Sequence, residues 1–338
     1  MNERRIFLAG GAALALGGCA HSSFPYSLAD RSRESLIRQY RLPPSRFMTL
    51  DGVDLHYTDD GQGPVIVLMH GNVGSLRMWK DWVDPLVAAG YRVIRIDLPS
   101  HGLTGPNPEW TREPMRESMD RNIVLVNGLL DALKVERAAL VGTSFSGIIA
   151  YRMAARTPQR VPALVLINSG GLPRTPQTDP NRPRGTAFEQ WVARRDYSRV
   201  RMERTLKGLM APENPPSEAL ITEYHDLQNM QGRQMERARL TPTYRSGDVA
   251  GTLSQIRQPV LILWGDYPGL LDVGQARQFQ NLMANAPVTL ETYKGVGHLL
   301  PIEAPARGVG DLVAFLGANG WPPAPAATGG LAPAPSGG

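Results

Sequence analysis

The sequence predicts an α/β fold with a buried, mostly parallel sheet. Short apolar runs of strand length recur along the chain, and stretches with helical spacing of apolar residues separate them. Strands that are apolar throughout are buried on both faces, and their alternation with helices is typical of parallel sheets. The predicted strands are residues 65–69, 91–96, 138–141, 163–167, 260–264 and 288–293.

Helical periodicity fills most of the intervals between these strands. The predicted core helices share an apolar face that recurs every three to four residues, the spacing of an amphipathic helix. They lie around residues 79–87, 123–133, 148–155 and 309–316.

One long segment, residues 172–256, has no strong strand pattern. It opens with a loop rich in proline and arginine and continues with helical patterns around residues 188–210 and 218–240. Insertions of this kind often lie over the mouth of a site. The sequence therefore predicts a helical cap between two parts of one core, residues 45–171 and 257–317.

The composition is that of an ordinary globular chain. Of its 338 residues, 42% are hydrophobic and 20% are charged. The net charge of +5 reflects 36 basic against 31 acidic residues, without a long run of one sign, so nucleic acid is not an expected partner. Cys19 is the single cysteine, which excludes an intramolecular disulfide and a metal site with several cysteine ligands.

The N-terminal residues resemble an export signal. Basic residues precede an apolar stretch, residues 6–18, that is too short to span a bilayer. Residues 16–19, Leu-Gly-Gly-Cys, resemble a bacterial lipobox. We therefore expect a signal peptide over residues 1–19 and a lipid on Cys19. The protein would then be exported and anchored on the periplasmic or outer face of a bacterial membrane. An ordinary signal peptide is the alternative, and the twin-arginine and general export routes both stay open.

Two further segments are predicted to lie outside the fold. Residues 20–44 are expected to be a linker. Residues 318–338 are rich in proline, glycine and alanine and contain few large apolar side chains, so we expect a disordered tail.

A candidate nucleophile follows the third predicted strand. Residues 141–147 read Val-Gly-Thr-Ser-Phe-Ser-Gly, which places Ser144 at a tight turn between a strand and a helix. Such a turn holds a serine hydroxyl exposed above the sheet, and it requires small neighbours. Gly142 and Ser146 meet that requirement, although the second of these positions is usually glycine.

A serine needs a base to remove its proton and donors to stabilise the oxyanion. His298 follows the last predicted strand and is the expected base, although a surface histidine in a turn is the alternative. Backbone N–H groups of Asn72 or Val73, together with that of Phe145, are the expected donors. The alternative for residues 69–74 is a plain turn.

Four segments together resemble the α/β-hydrolase superfamily, and the likeness covers about residues 47–317. The resemblance implies an eight-stranded sheet, a helical cap and a Ser–His–acid triad, with no metal or organic cofactor. A serine nucleophile differs from the aspartate of the dehalogenase and epoxide-hydrolase branches. The segment that contains Asp97 and His101 is usually structural in the superfamily. The matching segments are residues 68–72, 97–102, 142–147 and 297–305.

The sequence departs from the superfamily at the acid. The usual pattern is Trp-Gly-x-x-Asp, but Pro268 occupies the acid position here. Asp266 is the preferred candidate and Asp272 is the next. The other position at which the superfamily can carry an acid holds Asn168. It is also possible that neither aspartate orients His298.

These residues predict a serine hydrolase that cleaves a small-molecule carboxylic ester or a related acyl bond through an acyl-enzyme. Lactone hydrolysis, carbon–carbon bond hydrolysis and perhydrolysis stay open within the superfamily, because fold alone does not set the substrate. The rival hypothesis, motivated by Pro268, is a non-catalytic protein that binds a ligand or partner under its cap. A third hypothesis is a membrane-tethered scaffold that uses its C-terminal tail for contacts.

Overall fold

The structure of the protein is a computed structural model that describes residues 31–105, 118–172, 198–233, 236, 246–267 and 270–321. The predicted signal peptide with Cys19, the segment 322–338 of the predicted tail, and Pro268 lie outside the described residues.

Eight strands form one sheet, in the order β1-β2-β4-β3-β5-β6-β7-β8. The pairs β1–β2 and β2–β4 are antiparallel, and every other pair is parallel. The predicted α/β fold with its mostly parallel sheet is therefore confirmed. The strands are β1 (Arg46–Leu50), β2 (Val53–Asp60), β3 (Val65–Met69), β4 (Arg92–Ile96), β5 (Ala138–Thr143), β6 (Leu164–Ile167), β7 (Val260–Gly265) and β8 (Val288–Tyr293).

Helices follow most of the strands, as the periodicity predicts. A single 3₁₀ turn, Leu76–Trp79, leads into one of them. The α-helices of the described chain are α1 (Arg33–Tyr40), α2 (Lys80–Ala88), α3 (Ser118–Ala132), α4 (Phe145–Arg156), α5 (Arg199–Leu209), α6 (Glu218–Gln228), α7 (Val249–Leu253), α8 (Val273–Leu282), α9 (Leu300–Glu303) and α10 (Pro305–Ala318).

Helices cover both faces of the sheet and bury it. Helices α3, α4, α7 and α8 contribute to one apolar cluster with the sheet, and α2 and α10 contribute to the other. Trp79 and Trp82 are fully buried in the second cluster and pack edge to face, with ring centroids 5.1 Å apart. The central parallel strands β3, β5, β6 and β7 are therefore buried on both sides, which is why their sequences are apolar without alternation.

The segment predicted as a linker, residues 20–44, contains helix α1, so this prediction was wrong for residues 33–40. Ser32 caps the helix by accepting a hydrogen bond from the Ser35 N–H. Leu36 and Tyr40, one helical turn apart, are buried against the cap helix α6 and its surroundings. The other residues of the helix are mostly charged or polar, so its short apolar face gives only a weak periodic pattern in the sequence.

The predicted cap ends earlier than residue 256. Helices α5 and α6 pack together and form the described part of the cap. In contrast, α7 places Val249 and Leu253 in the core cluster with α4. The core therefore begins again before residue 257.

Residues 318–321 of the predicted tail belong to the fold, and Trp321 contacts the core. Its carbonyl accepts a hydrogen bond from the Tyr91 hydroxyl at 3.0 Å, and its N–H donates to Leu316. The indole ring packs against the second apolar cluster.

Across the described ranges, no helix combines the length and apolar character needed to cross a membrane.

Candidate active site

Ser144 occupies a strained turn between β5 and α4. Its φ of 55° and ψ of −120° lie in a region that non-glycine residues rarely adopt. Such strain persists only where the surroundings fix the backbone. The Ser144 N–H donates to Ile167 at 3.0 Å, and its carbonyl accepts from Gly147 and Gly170 at 3.1 and 2.7 Å. The turn is therefore held from both sides.

The small residues around Ser144 are required by close contacts. A Cβ on Gly142 would lie 2.6 Å from the Ser146 carbonyl oxygen. Ser146 stands where the superfamily usually has glycine, and its hydroxyl forms hydrogen bonds here. It accepts from the Thr143 N–H at 2.9 Å and lies 2.8 Å from the Met69 carbonyl, to which it can donate. This side chain joins the nucleophile turn to the end of β3.

The residues after β3 form a turn, Gly71 to Gly74, which we call the oxyanion turn. The Gly74 N–H donates to the Gly71 carbonyl at 3.2 Å, and Val73 adopts a φ of 61°. The Val73 N–H donates to the Asn72 side-chain oxygen at 3.1 Å. A Cβ on Gly71 would lie only 3.0 Å from the Cβ of Ser144, so this turn directly adjoins the nucleophile.

His298 lies in the loop between β8 and α9 and is buried. The backbone N–H of His298 donates to the backbone carbonyl of Leu209, the last residue of cap helix α5, at 2.6 Å. The Glu303 carboxylate accepts from the Gly297 N–H at 3.0 Å and from the Ala211 N–H at 2.9 Å. Burial raises the pKa of Glu303, and these N–H groups oppose the rise. Glu303 therefore joins the histidine loop to the cap.

Glu303 lies in the matching segment 297–305, but its sequence position alone does not reveal this role. The available signal is an acid five residues after the candidate base.

Ser144, His298 and the oxyanion turn line one cavity of about 210 Å³. The structure therefore brings together the predicted nucleophile, the predicted base and the predicted donor residues Asn72 and Val73. Phe145 begins helix α4 directly beside them. The cap and the loops supply mostly apolar walls, made by Met78, Thr205, Leu209, Tyr224, Leu270 and Leu299.

The two candidate acids have different positions. The Asp266 carboxylate is half-buried and accepts from the Gly295 N–H at 2.7 Å, in the loop that leads to His298. No hydrogen bond joins Asp266 to His298 among the described residues. Asp272 is exposed and caps α8 by accepting from the Gly274 N–H at 2.6 Å. The assignment of the triad acid to Asp266 stays a prediction.

Asn168 follows β6, where the superfamily can carry an acid. It is buried, and its side-chain oxygen accepts from the Gly265 N–H at 3.2 Å. This contact braces the ends of β6 and β7, and the side chain offers no carboxylate to a histidine.

A second hydrogen-bonded Ser–His–Asp series lies away from the cavity, and we call it the Ser45 relay. The Ser45 hydroxyl lies 2.8 Å from Nε2 of His56, and Nδ1 of His56 lies 2.6 Å from the Asp97 carboxylate. Asp97 also accepts from the Leu76 and Leu103 N–H groups at 2.6 and 2.7 Å. These contacts support the structural role predicted for Asp97.

Two effects compete at the Asp97 carboxyl. Burial alone would raise its pKa. The imidazoles of His56 and His70 and the Leu76 N–H outweigh burial and hold the pKa below its usual value. The ionised carboxylate is therefore the form that the fold stabilises.

His101 also has a structural setting, as predicted. Its ring stacks on Phe145 with centroids 5.5 Å apart and contacts the ring of His70, with centroids 4.8 Å apart.

The described part of the chain contains no group of three or more His, Cys, Asp or Glu side chains placed to hold a metal ion.

Fold and sequence agree on the class of protein. A profile described as alpha/beta hydrolase fold matches residues 64–305, and the chain belongs to this family.

Among its relatives is a 2-hydroxy-6-oxononadienedioate/2-hydroxy-6-oxononatrienedioate hydrolase of Paraburkholderia xenovorans (strain LB400). It is 40% identical over 122 residues, which cover 35% of this chain and 40% of that protein. The protein of the same name from Burkholderia vietnamiensis (strain G4 / LMG 22486) is 30% identical over 226 residues, covering 64% of this chain and 75% of that protein.

A solved structure extends the likeness to most of the chain. The enol-lactonase from Burkholderia xenovorans LB400 superposes with a TM-score of 0.65 at 23% identity, covering 80% of this chain and all of that one (100%). This likeness shows the shared fold.

Proposed function

We propose that the protein is a serine hydrolase that cleaves a carboxylic ester or a related acyl bond of a small molecule. The observation that carries this proposal is the strained Ser144 in the same cavity as His298 and the oxyanion turn. A backbone held in this conformation is typical of a serine presented to a substrate at a strand-to-helix turn.

Each step follows from the position of these groups. The Ser144 hydroxyl oxygen attacks the substrate carbonyl carbon while His298 accepts the hydroxyl proton. N–H groups of Phe145 and of Asn72 or Val73 donate to the oxyanion. The tetrahedral intermediate then collapses, and His298 returns the proton to the departing alcohol. Water, deprotonated by His298, attacks the acyl-enzyme and releases the carboxylic acid and the free serine.

The walls of the cavity indicate the chemical character of the substrate. Met78, Leu209, Leu270 and Leu299 surround the nucleophile with apolar surface. Apolar walls bind hydrocarbon groups by excluding water from both surfaces. We therefore propose a substrate with an apolar group next to the scissile carbonyl.

Carbon–carbon bond hydrolysis is a second candidate, favoured by the two hydrolases of 2-hydroxy-6-oxononadienedioate described above. In that reaction, water adds to a ketone carbonyl and the bond to the neighbouring carbon breaks. One fragment leaves as a carboxylic acid, and the other takes a proton at carbon. The same base and oxyanion donors serve both reactions.

We also propose that the protein is exported and anchored by a lipid on Cys19. Support comes from the sequence, in which the single cysteine closes a short apolar stretch after basic residues. The wild-type protein should partition into detergent and begin at Cys19, with more than one acyl chain because one chain gives only marginal binding. A Cys19→Ala protein that stays equally membrane-bound would contradict the anchor.

The proposed reaction is tested with a panel of p-nitrophenyl esters of increasing acyl length, a panel of lactones, and 2-hydroxy-6-oxononadienedioate. We expect turnover of apolar esters by the wild type and loss of at least about 1,000-fold in Ser144→Ala, as for removal of a nucleophile in other triads. Turnover of the dienedioate with inert esters would favour the second candidate. Equal ester turnover by both proteins, or none with any substrate, would overturn the serine-hydrolase proposal.

A further inference from the structure

One cap side chain reaches the oxyanion turn directly. Gln228 is the last residue of α6 and is fully buried. Its Nε2 donates to the Val73 carbonyl at 2.9 Å, across 155 residues of sequence. The amide must present its nitrogen here, because a carbonyl oxygen can only accept. A hydrogen bond therefore joins the cap to the backbone that flanks Ser144.

This bond acts on a backbone that needs support. Val73 is β-branched, and its φ of 61° is a genuine outlier for such a residue. A conformation of this kind is strained and persists only where the surroundings fix it. The peptide between Val73 and Gly74 is held at both ends, because its N–H donates to Gly71 and its carbonyl accepts from Gln228. Holding this peptide also limits rotation of the preceding peptide, between Asn72 and Val73, which carries the Val73 N–H.

Helix α6 is a fixed platform for the amide. The Asp226 carboxylate, which is buried, accepts from the Tyr40 hydroxyl at 2.6 Å and pairs with Arg31 at 2.9 Å. One turn earlier, Glu223 pairs with Arg77 at 2.9 Å. Because Arg77 lies just after the oxyanion turn, the helix is attached to the core on the same side as the Gln228 contact.

We propose that Gln228 is a positioning residue for oxyanion stabilisation. By holding the Val73 carbonyl, it keeps the Val73 N–H in the orientation that a developing oxyanion requires. The cap then completes the oxyanion hole as well as covering the cavity. The catalytic consequence rests on the proposed function, whereas the effect on the turn itself does not.

The first test is Gln228→Met, which keeps the length of the side chain and removes the donor. We expect kcat to fall about tenfold or more, less than the ~10²–10³ lost when an oxyanion donor is deleted outright. KM should change by less than about twofold, because the donor acts mainly in the transition state. An unchanged kcat would overturn the proposal.

Gln258→Met is the matched control. The Gln258 Nε2 also donates to a backbone carbonyl, that of Ala154, at 2.8 Å, and it lies away from the cavity. Both variants lose one hydrogen bond of the same type, from a glutamine Nε2 to a backbone carbonyl, so both should lower the melting temperature slightly. If the control loses as much kcat as Gln228→Met, the effect is one of general stability and the proposal fails.

Gln228→Glu adds a dependence on pH. A protonated carboxyl can donate to the Val73 carbonyl, whereas a carboxylate cannot. We expect the kcat of this variant, divided by that of the wild type at each pH, to fall as pH rises. Taking the ratio removes the pH effects that the two proteins share. A ratio that does not change with pH would contradict the proposal.

Amide hydrogen exchange separates this proposal from the proposed function. In Gln228→Met, exchange at Val73 and Gly74 should increase by about fivefold or more, the factor that corresponds to a loss of about 1 kcal/mol in local opening. The same amides should be unchanged in Gln258→Met. If the wild type turns over no substrate, the proposed function fails while this measurement still decides the role of Gln228. Unchanged exchange in Gln228→Met would overturn it.

Discussion

The Ser144 site and the Ser45 relay contain the same side-chain types in opposite settings. The Ser45 relay has serine, histidine and aspartate in hydrogen-bonded order, with contacts of 2.8 and 2.6 Å. The Ser45 N–H already donates to Leu42 at 2.9 Å, and Phe47 stacks on His56 with ring centroids 4.9 Å apart. Among the described residues, no such hydrogen-bonded series joins Ser144 to a histidine and an aspartate. Ser144 instead has a strained backbone, and it lines a cavity together with His298 and the oxyanion turn.

The difference shows that hydrogen-bonded order alone does not make a nucleophile. A reactive serine also needs room for a carbonyl carbon and N–H groups directed at the oxyanion. The Ser45 relay uses its polar atoms to join β1, β2 and the loop after β4, which is a structural role. The residues of the Ser144 site line a cavity that has room for a substrate.

The two histidines provide the largest expected contrast. His298→Ala should lower kcat by at least about 1,000-fold with little change in melting temperature, because the serine loses its base. His56→Ala should lower the melting temperature and leave the kcat of folded molecules within about threefold, because it removes a structural partner of Asp97. Steady-state kinetics and thermal unfolding of both variants check this. Equal losses of kcat would remove the distinction between the two sites.

Asp266→Asn separates a triad role from a loop role. An asparagine can still accept from the Gly295 N–H, so a purely structural role predicts a loss of kcat below about threefold. Orientation of His298 predicts a loss of about 100-fold or more, in line with the ~10⁴ seen when a triad acid is neutralised. We expect the larger loss.

Asp272→Asn is the comparison variant. Because asparagine caps helices about as well as aspartate, it should cost less than about 1 kcal/mol of stability and leave kcat unchanged. If Asp272→Asn loses turnover and Asp266→Asn keeps it, the two roles are reversed.

The sequence predicts the parts of the molecule that depend on local pattern. Strands β3, β5, β6 and β7 are apolar runs, and Ser144 and His298 follow strands at recognisable turns. In contrast, β1 is mostly exposed and lacks such a run. The triad acid, Glu303 and Gln228 depend on how loops and the cap meet in space. A contact across 155 residues, as between Gln228 and Val73, leaves no periodic trace in the sequence.

Asp97→Asn tests the structural side of the comparison. Because the fold lowers the Asp97 pKa, the carboxylate contributes stability above its unfolded pKa of about 3.9, and this contribution is lost as pH falls through the folded value. We expect the variant to lose about 2 kcal/mol of unfolding free energy near pH 7, since backbone donors lose an acceptor. The difference in unfolding free energy between the variant and the wild type should become smaller below about pH 4. A difference that stays constant in denaturant titrations between pH 3 and 7 would contradict this.

Ser45→Ala carries the smallest expected effect. It removes a hydroxyl that is bonded to His56 and to the Leu42 N–H at 2.9 Å. The expected cost is about 1 kcal/mol of stability, the typical contribution of a hydrogen bond at a partly exposed position. We expect kcat per folded molecule to stay within about twofold of the wild type, measured with the ester that the wild type turns over best. A loss of kcat as large as that of His298→Ala would contradict the assignment of Ser144 as the nucleophile.

Labelling with a fluorophosphonate tests the central claim most directly, because the reagent reacts with a serine that has both a base and an oxyanion hole. The measurement is the mass of the intact protein, followed by assignment of the labelled peptide, for the wild type, Ser144→Ala and Ser45→Ala. The account predicts a single label on Ser144 in the wild type and in Ser45→Ala, and no label in Ser144→Ala. A label on Ser45, or equal labelling of Ser144→Ala and the wild type, would contradict it.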